Sequence, residues 1–322
     1  MFGWTGEQCI VQKRERDCAF SFEVLPPLKG SGIEKIFANV EKLLEFDPQY
    51  VNITTHRKEV LYRELPDGRF ERVSQKKRPG TVAIAAAIHN KYNVRVVPHI
   101  LCSGFSKEET EYVLIDLQFL GITDLFLLRG DKAKDEMSFR AAKDGYAHAI
   151  ELEKQVCEFN AGRFLDGSEN RSLREPFTFG VACYPEKHEE APNLDRDIYW
   201  LKQKVDGGAT YAVTQMFFDN RHYFDFVRRA REAGITVPII PGIRPLTRQG
   251  QLVLLPQTFR TELPQALVEE VMRCKNDDEV REVGIRWCIG QSRELREKGV
   301  DRIHYYTYGA EDAIRRVCRE VF

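Results

Sequence analysis

Short apolar, β-branched and aromatic runs recur along the whole chain, each bounded by polar residues. They are FSFEVLP (20–26), YVNITT (50–55), VRVVPHILC (94–102), DLFLLRGD (124–131), FTFGVACYP (177–185), YAVTQMFF (211–218), VPIIPGI (237–243) and RIHYYTY (302–308). Each has the length and composition of a strand. The longer segments between them place apolar residues at helical spacing, as in Ile33, Ile36, Phe37, Val40, Leu43 and Leu44, in Thr110, Val113, Leu114, Leu117 and Leu120, and in Tyr223, Phe226, Val227 and Ala230. Glycine stands shortly before four of the strands, at Gly121, Gly208, Gly234 and Gly299. There it can end a helix in the left-handed conformation without a Cβ clash.

Strict alternation of strand and helix predicts parallel strands joined by right-handed crossovers. Eight such strands can close into a barrel or lie in an open doubly wound sheet. No G-x-G-x-x-G fingerprint follows the first strand. Polar residues stand at the end of nearly every strand rather than at one crevice. Both features predict an α/β fold with a single (β/α)8 TIM barrel over residues 1–322. Residues 56–80 form a polar insertion after strand 2, an excursion or short hairpin. Residues 160–176 form a second polar connection, and 244–290 has room for two or three additional helices. No Pro-, Gly- or Ser-rich linker marks a further domain.

Composition narrows the function classes. Net charge is −1, without the clustered basic excess of a nucleic-acid binder. The runs Lys13-Arg14 and Lys76-Lys77-Arg78 read as solvated loop. No apolar stretch reaches the roughly 18–20 residues of a membrane span, and the N-terminus lacks a signal-peptide pattern, so a cytoplasmic location is expected. Eight cysteines (9, 18, 102, 157, 183, 274, 288, 318) include no C-x-x-C pair. They read as reduced thiols, mostly small core residues, rather than a disulfide framework or a zinc site.

In a barrel, the carboxyl ends of the strands face the active site. Reading those ends collects Glu23, Thr54 with Thr55 and His56, His99, Arg129-Gly130-Asp131, Tyr184 with Glu186 and His188, Gln215 and Arg244. Glu23 lies inside the apolar strand SFEVLPP, where lost hydration raises a carboxyl pKa and suits it to general-acid work. An internal salt bridge is the other reading, and the residues alone leave both open. In Arg129-Gly130-Asp131 the glycine would admit a ligand to the backbone, the arginine supplies a planar cation and the aspartate an acceptor; a tight turn with a local ion pair is the alternative. His99 and His188 could contact phosphate or hydroxyl groups. No carboxylate cluster accompanies them, so no metal is assigned. Gln215 could read the edge of a heterocycle or satisfy neighbouring backbone. Asp197 and Lys204 lie seven residues apart on one helical face, which would ordinarily be solvated.

Taken together these segments resemble methylenetetrahydrofolate reductase. The motifs are SFEVLPP (21–27), YVNIT (50–54), VPHILC (97–102), LRGD (128–131), VACYPEKHEEA (181–191), LKQKVDGGATYAVTQMFFD (201–219) and IIPGIRP (239–245), with weaker support from HYYTY (304–308). They follow the family's order over about 20–245. The resemblance implies a cytoplasmic flavoprotein oxidoreductase with bound FAD and NADH or NADPH as electron donor. It would reduce 5,10-methylenetetrahydrofolate to 5-methyltetrahydrofolate by two hydride transfers, both substrates using one site in turn in ping-pong fashion, and so feed methyl groups to methionine synthesis.

Residue by residue, the resemblance implies that Glu23 is the general acid at N10 and that Asp131 acts near both flavin and pterin. Gln215, and less securely Gln251, would contact folate. Thr54, His99, Arg129, Gly130, Tyr184, His188, Asp197 and Lys204 would line FAD, which revises the solvated-face reading of Asp197 and Lys204. Leu255 stands where many relatives place a phenylalanine that stacks on substrate. Cys102-Ser103-Gly104 and the 56–80 insertion also depart from the pattern. The chain ends at Phe322, so the regulatory domain of eukaryotic relatives and its inhibition by S-adenosylmethionine are expected to be absent. A homo-oligomer is expected. A non-redox folate- or corrinoid-binding barrel is the competing reading.

Overall fold

A computed structural model describes residues 18–133, 136–172 and 175–322, and each of the eight expected strand segments contributes to one parallel sheet. The N-terminal segment read for targeting, with Cys9 and Lys13-Arg14, lies outside the described residues. The strands are β1 (Ala19–Val24), β2 (Val51–Ile53), a separate hairpin β3 (Glu59–Glu64) and β4 (Phe70–Gln75), β5 (Val96–Leu101), β6 (Asp124–Leu128), β7 (Thr178–Cys183), β8 (Tyr211–Thr214), β9 (Ile239–Ile240), β10 (Gly242–Ile243) and β11 (Arg302–Tyr306). The helices are α1 (Glu34–Leu44), α2 (Thr81–Tyr92), α3 (Lys107–Phe119), α4 (Ala149–Asn160), α5 (Leu194–Asp206), α6 (Asn220–Glu232), α7 (Gln251–Phe259), α8 (Gln265–Met272), α9 (Asp277–Glu297) and α10 (Glu311–Val321).

Around the sheet the order is β10-β11-β1-β2-β5-β6-β7-β8-β9. Its two ends, β9 and β10, are consecutive in the chain, so the sheet closes on itself. They are the halves of the seventh expected strand, which is broken rather than continuous. Pro241 has no N–H to donate to the ladder, yet its carbonyl accepts the His304 N–H at 2.9 Å. One half therefore pairs with β8 and the other with β11. The barrel reading holds, with this one correction to its strand count.

Three apolar clusters support the barrel. The largest lies between strands and surrounding helices and includes Phe20, Phe22, Leu114, Phe159 and Tyr305. Inside the barrel, Tyr50, Val97, Phe126, Val213 and Ile240 form a plug with Tyr211 packed against it. Gly180 of β7 makes room for that plug, because a Cβ there would strike the Tyr211 ring. A third cluster, with Met216, Phe218, Leu246, Leu255, Leu267 and Val271, seats the three helices found within the long stretch after strand 7.

The insertion after strand 2 is the β3–β4 antiparallel hairpin, its base closed by Lys77–Glu59 at 2.8 Å and tied to the segment after β1 by Lys29 N–H to the Lys77 carbonyl at 2.7 Å. The four helix-ending glycines have φ between 67° and 118°. Cys18, Cys102, Cys183, Cys288 and Cys318 are buried. Among the described residues no helix is long and apolar enough to cross a membrane.

Candidate active site

A cavity of about 650 Å³ opens at the carboxyl ends of the strands. It falls within the size range of small-molecule and cofactor sites. Glu23, Thr54, Thr55, His56, His99, Arg129, Gly130, Asp131, Tyr184, His188, Asp197, Lys204 and Gln215 line it together, although they come from strand ends, loops and α5, up to 192 residues apart in sequence numbering. Apolar side chains, among them Leu101, Phe126, Leu128, Ala182, Leu201 and Val213, make up much of the remaining wall.

Glu23 is 3% exposed. Parallel pairing sets it opposite Asn52 on one side and Tyr306 on the other. Burial pushes its carboxyl up to about 7, against the opposing pull of a hydrogen bond from Tyr308 and the charge of Arg244. Its Oε1 is buried without a hydrogen-bond partner. No salt bridge neutralises it among the described residues, so the internal ion-pair reading does not describe this carboxyl. A buried acid that keeps a substantial protonated fraction near neutral pH can donate a proton into the cavity.

The opposite wall carries cations and imidazoles. Arg129 pairs with Glu190 and lies 4.7 Å from the Phe139 ring centre. Gly130 has φ +79°, and a Cβ would come within 2.8 Å of the Ser103 Cβ. The constraint on this glycine thus includes the chain's own packing. Asp131 lines the cavity, and its backbone carbonyl accepts the Ser103 hydroxyl at 2.8 Å. His188 Nδ1 accepts the Glu190 N–H at 3.2 Å, while burial first and Arg129 second hold the ring below the usual histidine range. In the neutral ring the proton then sits on Nε2, which is a donor.

Asp197 accepts the His188 N–H at 2.7 Å, and Lys204 Nζ donates to the Ala182 carbonyl at 2.6 Å. Both belong to α5, which starts at the Asn193 cap. Their shared face turns to the cavity rather than to solvent. Deeper, the Asn52 side-chain nitrogen lies 3.1 Å from His99 Nε2, and burial lowers the His99 pKa to about 3. Gln215 satisfies neighbouring backbone, its Oε1 accepting the Met216 N–H at 2.9 Å, and it also lines the cavity.

Gln251 and Leu255 require correction, since neither lines the cavity. Gln251 Oε1 accepts the N–H groups of Thr247 at 2.7 Å and Arg248 at 3.1 Å, closing the start of α7. Leu255 is 1% exposed in the third apolar cluster. One helical turn later, Phe259 lines the cavity instead. The two residues share one helical face, and the one-turn step along α7 separates Leu255, within the apolar cluster, from Phe259, which packs against that cluster and reaches the cavity. Glu186 is structural too, accepting the Thr261 hydroxyl at 3.2 Å and the Glu262 N–H. Arg244 lies behind the wall with Nε unpartnered.

Sequence reasoning missed Asn52, Trp200, Phe259, Tyr306 and Tyr308 as wall residues, and Glu153 behind the wall. The aromatic spacing of HYYTY was the available signal for the two tyrosines. Nothing local marks Glu153, which is 1% exposed on α4 with neither carboxyl oxygen hydrogen-bonded.

An α/β barrel that gathers a buried acid, a cation-bearing wall and apolar surface around one cavity has the architecture of a small-molecule or cofactor enzyme. The chain belongs to the methylenetetrahydrofolate reductase family, whose model matches residues 9–321. It is 28% identical over 322 residues to a probable methylenetetrahydrofolate reductase (NADPH) of Caenorhabditis elegans, covering 98% of this chain and 43% of that protein. It is 27% identical over 300 residues to the 5,10-methylenetetrahydrofolate reductase of Pectobacterium carotovorum subsp. carotovorum, covering 92% of this chain and 88% of that one. The chain therefore spans less than half the length of eukaryotic relatives and most of the bacterial one. A solved structure of a Clostridium thermocellum protein described as binding two copies of 5-methyl-5,6,7,8-tetrahydrofolic acid shares the fold, with a TM-score of 0.52 at 13% identity and 94% coverage of both chains.

Proposed function

We propose that this chain reduces 5,10-methylenetetrahydrofolate to 5-methyltetrahydrofolate with NADH or NADPH, using bound FAD and Glu23 as the general acid. The observation that carries this reading is the buried Glu23 carboxyl, raised to about 7, in the wall of a ligand-sized cavity of a chain from this family.

The donor set fits a flavin dinucleotide. Arg129 and Lys204 would supply cations for its phosphates, Thr54, Tyr184 and His188 would supply polar groups for its hydroxyls, and Gly130 and His99 would complete the wall around it. Asp197 holds the His188 loop in place through the backbone N–H of that residue. When bound, FAD supplies the hydride relay between nicotinamide and folate, so the two substrates can use one site alternately. Asp131 and Gln215 would face the pterin, with Phe259 offering an aromatic surface in place of Leu255. Glu23 delivers its proton to N10 of the folate, opening the methylene bridge to an electrophilic iminium at N5. The lost proton leaves a carboxylate that Arg244 and Tyr308 stabilise. The product would serve methionine synthesis from the cytoplasm, with the enzyme a homo-oligomer.

Stopped-flow absorbance of the two half-reactions tests this. In Glu23→Gln, flavin reduction by the nicotinamide should survive while reoxidation by methylenetetrahydrofolate falls by about 10²–10⁴-fold. Two intact half-reactions would remove Glu23 from the role. A protein that cannot be reconstituted with FAD would instead favour a non-redox folate- or corrinoid-binding barrel.

A further inference from the structure

Just beyond β11 the chain does something costly. Tyr308 has φ +38°, a left-handed conformation that L side chains adopt only under constraint, and Gly309 follows at φ +83°. Glycine would be the unstrained residue at both positions. Strain held at a cavity wall points to a functional demand on the side chain. Here the demand is visible. The Tyr308 hydroxyl stands close enough to the Glu23 carboxyl to favour its charged form, and the Tyr308 ring lies 5.5 Å from the Arg244 guanidinium carbon. The neighbouring Thr307 hydroxyl donates to the Glu23 backbone carbonyl at 2.7 Å. The end of β11 thus grips Glu23 by main chain and side chain at once, leaving Oε1 without a partner.

Exposure differs between the two residues in a way that matters. Glu23 is 3% exposed and Tyr308 40% exposed, and both line the cavity. The Tyr308 side chain therefore runs between the occluded acid and the accessible part of the site. The charged and titratable groups facing Glu23 are Tyr308 and Tyr306 from the β11 side and Arg244 from beyond β10, while β2 contributes the neutral Asn52; Asp131 acts on Tyr308.

We propose that Tyr308 is a positioning residue for Glu23: its hydroxyl donates to the carboxyl, fixes its orientation with Oε1 left open, and holds the carboxylate formed after proton donation. This rests on the reading of Glu23 as the proton donor. No other bond is made or broken by Tyr308; its O–H proton remains shared with Glu23 while the acid gives up and regains its own.

The test is an infrared difference titration of the protonated-carboxyl C=O band in the FAD-reconstituted full chain, the Glu23 band being assigned by its loss in Glu23→Gln. Tyr308→Phe removes only the hydroxyl. Its Glu23 midpoint should rise from about 7 to about 8, as loss of one hydrogen bond to the charged form predicts. The pH midpoint of the folate half-reaction should rise with it, while the nicotinamide half-reaction stays unchanged. Tyr308→His restores a ring-borne N–H donor on a residue that tolerates the left-handed backbone, and should return the midpoint to the wild-type value or below. A midpoint unmoved in folded Tyr308→Phe, or equally raised in Tyr308→His, overturns the proposal. If Glu23→Gln leaves folate reduction intact, the proton-donor reading fails separately, because the infrared midpoint still reports whether Tyr308 governs Glu23.

Discussion

Glu153 on α4 and Lys204 on α5 are buried groups whose charged forms attract each other without a hydrogen bond between them. Both Glu153 oxygens are unpartnered, and the Lys204 ammonium bonds the Ala182 carbonyl instead. Burial raises Glu153 to about 8 and pushes Lys204 below the usual ammonium range, and each partner opposes the other's shift. Lys204 reaches the cavity; Glu153 stands behind it and becomes its negative neighbour as it ionises around pH 8 and above.

Removing that neighbour should make Lys204 easier to deprotonate. In Glu153→Gln, FAD affinity should therefore decline at lower pH than in the wild type as pH rises, by roughly tenfold in alkaline buffer for each pKa step of one. Equilibrium titration of the apoprotein with FAD across pH, followed by flavin fluorescence, reads this. Equal pH dependence in the two proteins would show that Glu153 does not support the Lys204 charge.

If Glu23 is the acid of the proposed reaction, its shift sets a pH limit on the folate half-reaction. A general acid works in its protonated form, and the folded carboxyl is raised from an ordinary value of 4.5 to about 7. The rate should hold below pH 7 and fall tenfold per pH unit well above it. A single-turnover pH profile measures it, and an inflection near the ordinary carboxylate range would contradict the burial argument.

Leu255 and Phe259 should separate stability from ligand binding. Leu255→Ala leaves a void in a packed cluster and should cost about 2–5 kcal/mol of stability, with FAD and folate affinity little changed in the folded protein. Phe259→Ala should unfold near the wild-type temperature but bind folate several-fold more weakly. Denaturant melts and folate-analogue titration give both readings, and the reverse pattern would restore Leu255 to the site.

Gly180→Ala should lower the melting temperature, because a methyl at this position meets the Tyr211 ring inside the barrel. Overpacking of this kind costs about 1–3 kcal/mol. Relief by the second change Tyr211→Phe is not expected, since ring carbons make the contact; Tyr211→Leu should recover part of the loss.

Much of the fold was legible because its signals are local. Strand runs such as FTFGVACYP and helix-ending glycines such as Gly121 depend on neighbours a few residues away. Pro241 shows the limit: it breaks the seventh strand locally, yet its carbonyl keeps the barrel connected through His304, a partner 63 residues on, 304 minus 241. Position on a strand end was enough to bring Glu23, His99, Arg129 and Gln215 into one cavity. It was not enough for Gln251 and Leu255, whose placement depends on how α7 is seated along its axis against the third apolar cluster.

The sequence by itself determined the alternating order of strands and helices, the closed parallel barrel they form, and a carboxyl stranded in an apolar first strand. Those follow from periodicity and hydration, which short stretches of chain carry within themselves. Only the tertiary structure decided which groups act on that carboxyl and on the cations opposite it. Tyr308 meets Glu23 because β11 pairs with β1, and Glu153 meets Lys204 because α4 and α5 pack together. Such pairings are set by register and packing between distant segments, where small shifts in direction change which charges share a low-dielectric space.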